Sequence, residues 1–306
     1  MYDVLILGAG PAGLGAAIYG IRAGFRLAVI DQSPVSGGQV LNTYEVDNYL
    51  GLPMMSGGDI SDKFREHADK LGVEFITAQV TGIEIGGKPQ NIKIVKTDNG
   101  DYEAKALVLA TGAEHMHLGV KGENELSGMG VSYCATCDGA FFRKRTVAVV
   151  GGGDAAVEDA IFLAGICRKV YLIHRRDKLR AADILQKKLM SLENVEIIWD
   201  SEVREIKGSD IVEGVELFNK KNNESSSLEV NGVFIAVGIK PVTEMFKGLV
   251  EMNEGGYIIA GEDCRTSAEG IYAAGDIRKK PMRQIITAVA DGANAINSLQ
   301  NALLQG

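Results

Sequence analysis

The sequence predicts an α/β protein of two Rossmann-like, ββα-type nucleotide-binding domains, the first split in the chain by the second. Three observations predict it. The chain opens on a buried strand that runs into a glycine-rich turn and an apolar helix, the layout of a dinucleotide-binding unit. The pattern returns in the middle of the chain, where Gly151, Gly153 and Ala156 stand where Gly8, Gly10 and Gly13 stood. The remaining stretch, 241–306, carries one strand and one helix, too little for a third domain and suited to completing the first.

In chain order, residues 2–7 alternate too little for a half-solvated strand and read as a strand buried on both faces. Gly8-Ala9-Gly10-Pro11-Ala12-Gly13 follows, then an apolar helix ending near Gly24 and a second strand, Leu27 to Ile30, ending in Asp31 and Gln32. A crossing rich in Gly, Ser and Asn, Ser36 to Gly58, leads to a helix expected over Asp59 to Leu71, which Gly72 stops. Short strands come next, with a hairpin signal at Asn99-Gly100, and close with the buried strand Ala106 to Leu109 and the segment Ala110-Thr111-Gly112. The second copy begins with Thr146 to Val150 and ends on Gly232 to Gly238, standing where the first exit strand stood. The last segment holds a strand at Ile271 to Ala274, the turn Gly275-Asp276, and a helical pattern from Arg283 to Leu299. The division expected is therefore 1–113 with 241–306 against 114–240.

Composition excludes several classes. At 306 residues with 46% hydrophobic content, two ordinary cores can form without disulfide staples. The formal charge is −8 and the basic residues are scattered, so neither nucleic acid nor an anionic membrane is the expected partner. The apolar start at Val4 has no basic region or cleavage site before it, and no apolar run approaches the ~20 residues that span a bilayer, so a cytoplasmic protein is expected. Cys134, Cys137, Cys167 and Cys264 do not make a disulfide framework, and only the first two are closely spaced.

The two fingerprints differ where a nucleotide would be chosen. Gly8 permits the tight turn, Gly10 admits a pyrophosphate to the backbone, and Gly13 lets the helix pack on the strand. Asp31 can accept a ribose hydroxyl and repels a 2′-phosphate, so the first site suits FAD or NAD. In the second copy His174 takes the place of Asp31, followed by Arg175, Arg176 and Arg180, the last two sharing a face if a helix has begun there. Guanidinium groups hold phosphate bidentately, so the second site suits NADPH. Asp154 opens the helix of the second copy, where capping accounts for it as well as function does.

Cys134 and Cys137 lie between the copies with Asp138 beside them. Cysteines three apart on one turn can close and reopen a disulfide, and Asp138 is a candidate proton carrier. No second CxxC exists to complete a zinc site, and no metal is expected.

Together these motifs resemble the low-molecular-weight thioredoxin reductase family, FAD- and NADPH-dependent members of the pyridine nucleotide-disulfide oxidoreductases, through essentially the whole chain. The resemblance implies FAD contacts from Gly8, Gly10, Pro11, Ala12, Gly13, Asp31, Gln32, Gly38, Gln39, Asn48, Ala110, Thr111 and Gly112, and from Gly275, Asp276, Arg283, Gln284 and Ile285 on the returning segment. It implies NADPH contacts from Gly151, Gly153, Asp154, Ala155, Ala156, His174, Arg175, Arg176 and Arg180. It further implies that Cys137 lies nearer the flavin, that Cys134 attacks the disulfide of thioredoxin or a thioredoxin-like protein, and that Asp138 moves the proton. A homodimer and a large rotation between domains belong to the same expectation. Ala155 stands where a hydroxyl residue is common in the family, and His115 and His117 occupy a linker usually more basic or neutral. The residues alone leave other readings open: a glutaredoxin-like or peroxiredoxin-system partner, or a flavin dithiol oxidase, which would not need the arginines.

Overall fold

Val4, Leu5, Ile6 and Leu7 are all fully buried, which is why the opening run does not alternate. In a computed structural model, which describes residues 1–43, 45–86 and 91–305, they form β1 (Tyr2–Leu7) at the middle of a sheet. Val4 and Ile6 face one apolar cluster and Leu5 and Leu7 another. The chain continues through α1 (Pro11–Arg22), β2 (Leu27–Asp31), α2 (Gly57–Lys70), β3 (Glu74–Thr77), β4 (Val80–Ile85), β5 (Lys93–Thr97) and β6 (Gly100–Leu109). Tyr44, inside the expected crossing, lies outside the described residues. Helix α2 starts slightly earlier than its apolar pattern because Ser56 caps it, accepting the Asp59 N–H at 3.0 Å.

Two compact units emerge, Met1–Glu114 with Lys240–Gly306, and His115–Ile239. The chain leaves the first through β7 (Ala113–His115). The second contains β8 (Val131–Ser132), α3 (Ala135–Asp138), β9 (Thr146–Gly151), α4 (Asp154–Ala164), β10 (Lys169–Ile173), α5 (Asp183–Met190), β11 (Val195–Ile198), β12 (Ser201–Lys207), β13 (Gly214–Asn219), β14 (Glu224–Glu229) and β15 (Gly232–Ala236). The chain returns through β16 (Ile239–Pro241) to β17 (Ile271–Ala273) and α6 (Ile285–Gln305).

The duplication extends to sheet order. The first unit runs β3-β2-β1-β6 and the second β11-β10-β9-β15, all parallel. Strand β6 is longer than the buried run Ala106 to Leu109 suggested, because its first half pairs antiparallel with β5 and its second half parallel with β1. The hairpin turn is Asp98-Asn99, not Asn99-Gly100: Thr97 pairs with Gly100, which already belongs to β6. The returning segment closes the first unit, β17 pairing with β6 and α6 packing on α1. Small residues permit that helix contact, since a Cβ at Gly292 would overlap the Ala12 carbonyl. Helix α6 begins at Ile285 instead of Arg283, with Arg283 outside it stacked over Tyr257 at 4.1 Å.

Candidate functional site

The first turn is built by backbone contacts that only glycine allows. Gly8 has φ +113°, and a Cβ there would overlap the Ala110 carbonyl; one at Gly13 would overlap the Gly8 carbonyl. Gly10, the N-cap of α1, has no atom within 4 Å of its Cβ position, so the turn is open above the helix N-terminus. Asp31 accepts the Ala9 N–H at 2.6 Å on one oxygen and the Ser33 N–H at 2.9 Å on the other. A cavity beside it is lined by Ala9, Asp31, Ser36, Arg65 and Phe75. Arg65 lies over the Phe75 ring at 3.6 Å and donates to Ser36 at 3.2 Å. Neither Arg65 nor Phe75 stands out in the sequence, because an arginine on a helix and an aromatic on a strand are ordinary until the fold stacks them.

Residues far apart in the chain converge on this turn. Gly275 has φ +81°, and a Cβ there would come within 2.9 Å of the Ala12 side chain. The Asn48 amide donates to Gln284 Oε1 at 3.0 Å. The Thr111 hydroxyl donates to the Val242 carbonyl at 2.6 Å, tying the exit motif to the returning chain. Asp276 Oδ1 is buried with no hydrogen-bond partner among the described residues, and Lys280 Nζ is 3.7 Å from it. Burial raises the Asp276 carboxyl, opposed by Lys280 and Arg283. An open helix N-terminus, a strand-end carboxylate and a buried acceptor awaiting a donor fit a flavin dinucleotide, with its phosphates, ribose hydroxyls and polyol chain.

This floor rests on a buried charge group absent from the sequence reading. Asp291 of α6 accepts from Arg278 at 2.7 Å, from Lys280 at 3.0 Å and from the Gly275 N–H at 3.0 Å. Spacing along a mostly apolar helix does not reveal a buried carboxylate whose partners lie on a preceding loop.

The second turn repeats the first with different chemistry. A Cβ at Gly151 would press on the Ala236 carbonyl, as one at Gly8 would on Ala110. Gly153, the N-cap of α4, is open like Gly10. His174 is buried against Gly152, its Nε2 2.9 Å from the Lys178 carbonyl oxygen. The Arg180 N–H donates to the Gly152 carbonyl at 2.7 Å, and Asp154 does not cap α4, whose N-cap is Gly153, but accepts the Ala182 N–H at 2.7 Å and so ties down the loop before α5. Arg175, Arg176 and Arg180 are exposed, on the loop that the Arg180 N–H ties to this turn. Arg176 and Arg180 do not share a helical face, because α5 begins only at Asp183 and bonds from His174 and Arg180 hold the intervening chain as a loop. Exposed guanidinium groups at an open helix N-terminus fit the extra phosphate of NADPH.

Cys134 and Cys137 are joined by a disulfide, with Cα atoms 5.3 Å apart. Cys134 caps α3, and its Sγ accepts the Cys137 N–H at 3.2 Å. Burial raises the Asp138 carboxyl, opposed by a 2.5 Å hydrogen bond from Ser132; Asp138 Oδ1 is buried without a hydrogen-bond partner among the described residues. Upstream, the Tyr133 hydroxyl donates at 2.8 Å to Glu123, whose carboxylate also accepts the N–H groups of Leu118 and Gly119 at 3.0 and 2.7 Å. Burial pushes Glu123 up, but these bonds outweigh it and hold the carboxyl below its ordinary range. His115 stacks on Tyr133 and His117 bonds it through Nδ1 at 2.8 Å, so both histidines belong to the packing of this segment.

The profile of the pyridine nucleotide-disulphide oxidoreductase family matches residues 2–292, and the chain belongs to that family. Among its relatives, the thioredoxin reductase of Bacillus subtilis is 44% identical over 302 residues, covering 98% of this chain and 94% of the relative. That of Listeria monocytogenes is 46% identical over 301 residues, covering 98% and 93%. The crystal structure of thioredoxin reductase from Streptococcus pyogenes superposes with a TM-score of 0.95 at 46% identity, covering 100% of this chain and 99% of that one.

Proposed function

We propose that this chain is an NADPH-dependent flavoprotein disulfide reductase that reduces thioredoxin through Cys134 and Cys137. The observation that carries the reading is the Cys134–Cys137 disulfide in a chain whose two glycine turns are joined to opposite charge, one to Asp31 and the other to a loop with three exposed arginines. The unit Met1–Glu114 with Lys240–Gly306 takes FAD, and the unit His115–Ile239 takes NADPH. Bound FAD supplies the two-electron relay between nicotinamide and disulfide.

The chain's own groups do the rest. Arg175, Arg176 and Arg180 hold the 2′-phosphate and the N-terminus of α4 holds the pyrophosphate. Once the pair is reduced, the Cys137 N–H that points at Cys134 Sγ stabilises a thiolate there, making Cys134 the nucleophile toward the partner. Asp138, kept protonatable by burial, moves protons between sulfur atoms. The partner is thioredoxin or a thioredoxin-like protein, met in the cytoplasm by a homodimer; no helix among the described residues is long and apolar enough to cross a membrane. Sedimentation of the flavin-loaded protein tests the dimer.

Anaerobic titration with NADPH and with NADH, followed by flavin absorbance, tests the nucleotide assignment. NADPH is expected to bleach the flavin at far lower concentration. Equal bleaching by NADH removes the role given to the arginines, and a colourless protein after reconstitution with FAD ends the proposal.

A further inference from the structure

Ser132 lies on β8, two residues before the first redox cysteine, and is 5% exposed. Its Oγ accepts the Cys134 N–H at 3.0 Å and sits 2.5 Å from Asp138 Oδ2, against 3.3 Å from the Cys134 carbonyl oxygen. A serine hydroxyl has one proton to give, and the shorter contact assigns it to the carboxyl group. Asp138 Oδ1, by contrast, is buried and has no hydrogen-bond partner among the described residues. The two oxygens of one carboxyl group are therefore inequivalent.

We propose that Ser132 is a positioning residue for the exchange reaction: it engages Asp138 Oδ2 and leaves Oδ1 as the atom that carries the exchanging proton. The proposal rests on the reading of Asp138 as proton carrier. In the exchange the Cys134 thiolate bonds one partner sulfur, the partner S–S bond breaks, and the other partner sulfur leaves with the electron pair and takes a proton from water. Cys137 then gives its proton to Asp138 Oδ1 and, as thiolate, bonds Cys134 Sγ. The bond between Cys134 Sγ and the partner sulfur it had attacked breaks, and that sulfur leaves with the electron pair and takes the proton from Oδ1. Two electrons pass from the cysteine pair to the partner disulfide, and the carboxyl group ends as it began.

The Ser132 bond favours the ionised carboxylate, so it opposes the upward push of burial, and these are the two influences on Asp138. Helix α4 packs against α3 and carries the ionisable Asp154, Glu158 and Asp159; the Gly139–Phe142 turn that follows α3 carries none. Asp154 is bonded to the Ala182 N–H and Glu158 is exposed, which leaves half-buried Asp159, pushed up by burial to about 6, as the group that competes for any pH effect.

The test is single-turnover oxidation of the NADPH-reduced, flavin-loaded enzyme by thioredoxin across pH. Asp138→Asn is expected to abolish the pH limb, and Ser132→Ala to move its midpoint upward by about one unit, the worth of one hydrogen bond to a carboxylate. Ser132→Thr, which keeps the hydroxyl, is expected to restore the midpoint, and the same upward shift is expected in an Asp159→Asn background. If Asp138→Asn removes the limb while Ser132→Ala leaves its midpoint in place, the role of Ser132 is overturned. A limb that survives Asp138→Asn overturns the reading of Asp138 itself. Should Ser132→Ala not fold, infrared spectroscopy of the unmodified protein decides. With the proton on Oδ1, the Oδ2 carbonyl accepts from Ser132 and its stretch, identified by its loss in Asp138→Asn, lies below that of an unbonded carboxylic acid. A band at the unbonded frequency overturns the proposal.

Discussion

The two glycine turns follow the same strand order and open onto similar helix starts, and differ in the chemistry at the end of the second strand. In the first, Asp31 reaches back to the Ala9 N–H; in the second, the His174 ring lies against Gly152, and the loop beyond it presents three arginines. Where Gly13 stands because a Cβ would strike the Gly8 carbonyl, Ala156 is accommodated. In the proposed function, strand order and turn shape set where a dinucleotide lies, while charge at the end of the second strand sets which dinucleotide it is. The dithiol has no counterpart in the first copy, since it sits in the segment that precedes β9.

The largest expected effect breaks the copy that carries the dithiol. Cys134→Ser or Cys137→Ser should lower thioredoxin reduction by about a thousandfold or more, while NADPH still bleaches the flavin; coupled turnover and stopped-flow absorbance separate the two. Next comes an exchange of turn residues. Gly13→Ala is expected to cost about 3 kcal/mol and to release FAD, because backbone must move, whereas Ala156→Gly costs only about 1 kcal/mol. Thermal unfolding with flavin fluorescence reads both, and similar losses at the two positions would show that the turns are less different than their contacts imply.

Removing Arg175, Arg176 and Arg180 together should cut the preference for NADPH over NADH by about a hundredfold, through KM for NADPH, with NADH little changed. The smallest effect concerns the helices behind the turns. Asp159 of α4 occupies the place of fully buried Ala16 in α1. Burial, aided by Glu158, pushes Asp159 up to about 6 from an ordinary 3.8, so its ionisation opposes folding. With the folded value raised, the cost is absent below about pH 4 and complete above about pH 6. Asp159→Asn should stabilise the protein by about 1–2 kcal/mol at pH 8, discounted for partial exposure, and do nothing at pH 4. Urea unfolding at the two pH values measures it.

Much of the architecture was legible because burial leaves local marks. Strand β1 showed itself by lacking alternation, and the repeat of Gly8, Gly10 and Gly13 as Gly151, Gly153 and Ala156 announced the second sheet. Sequence and structure part where local pattern competes with tertiary contacts. The hairpin turn was displaced because the pairing of Thr97 with Gly100 set the register, and Arg176 and Arg180 lost their shared helical face because bonds to Lys178 and Gly152 hold a loop there.

The sequence alone determined the buried first strand and its repeat, the two fingerprints and their opposite charge, and the dithiol with its neighbouring acid, since each is a pattern within a few residues. Only the tertiary structure decided which distant groups complete them: Asn48 with Gln284, Gly275 against Ala12, Asp291 beneath the loop it ties down, Arg65 over Phe75, and Ser132 on Asp138. The reason is physical. A hydrogen bond or a buried charge pair is recognised by the geometry of both partners, and a chain written in one dimension records only one partner at a time.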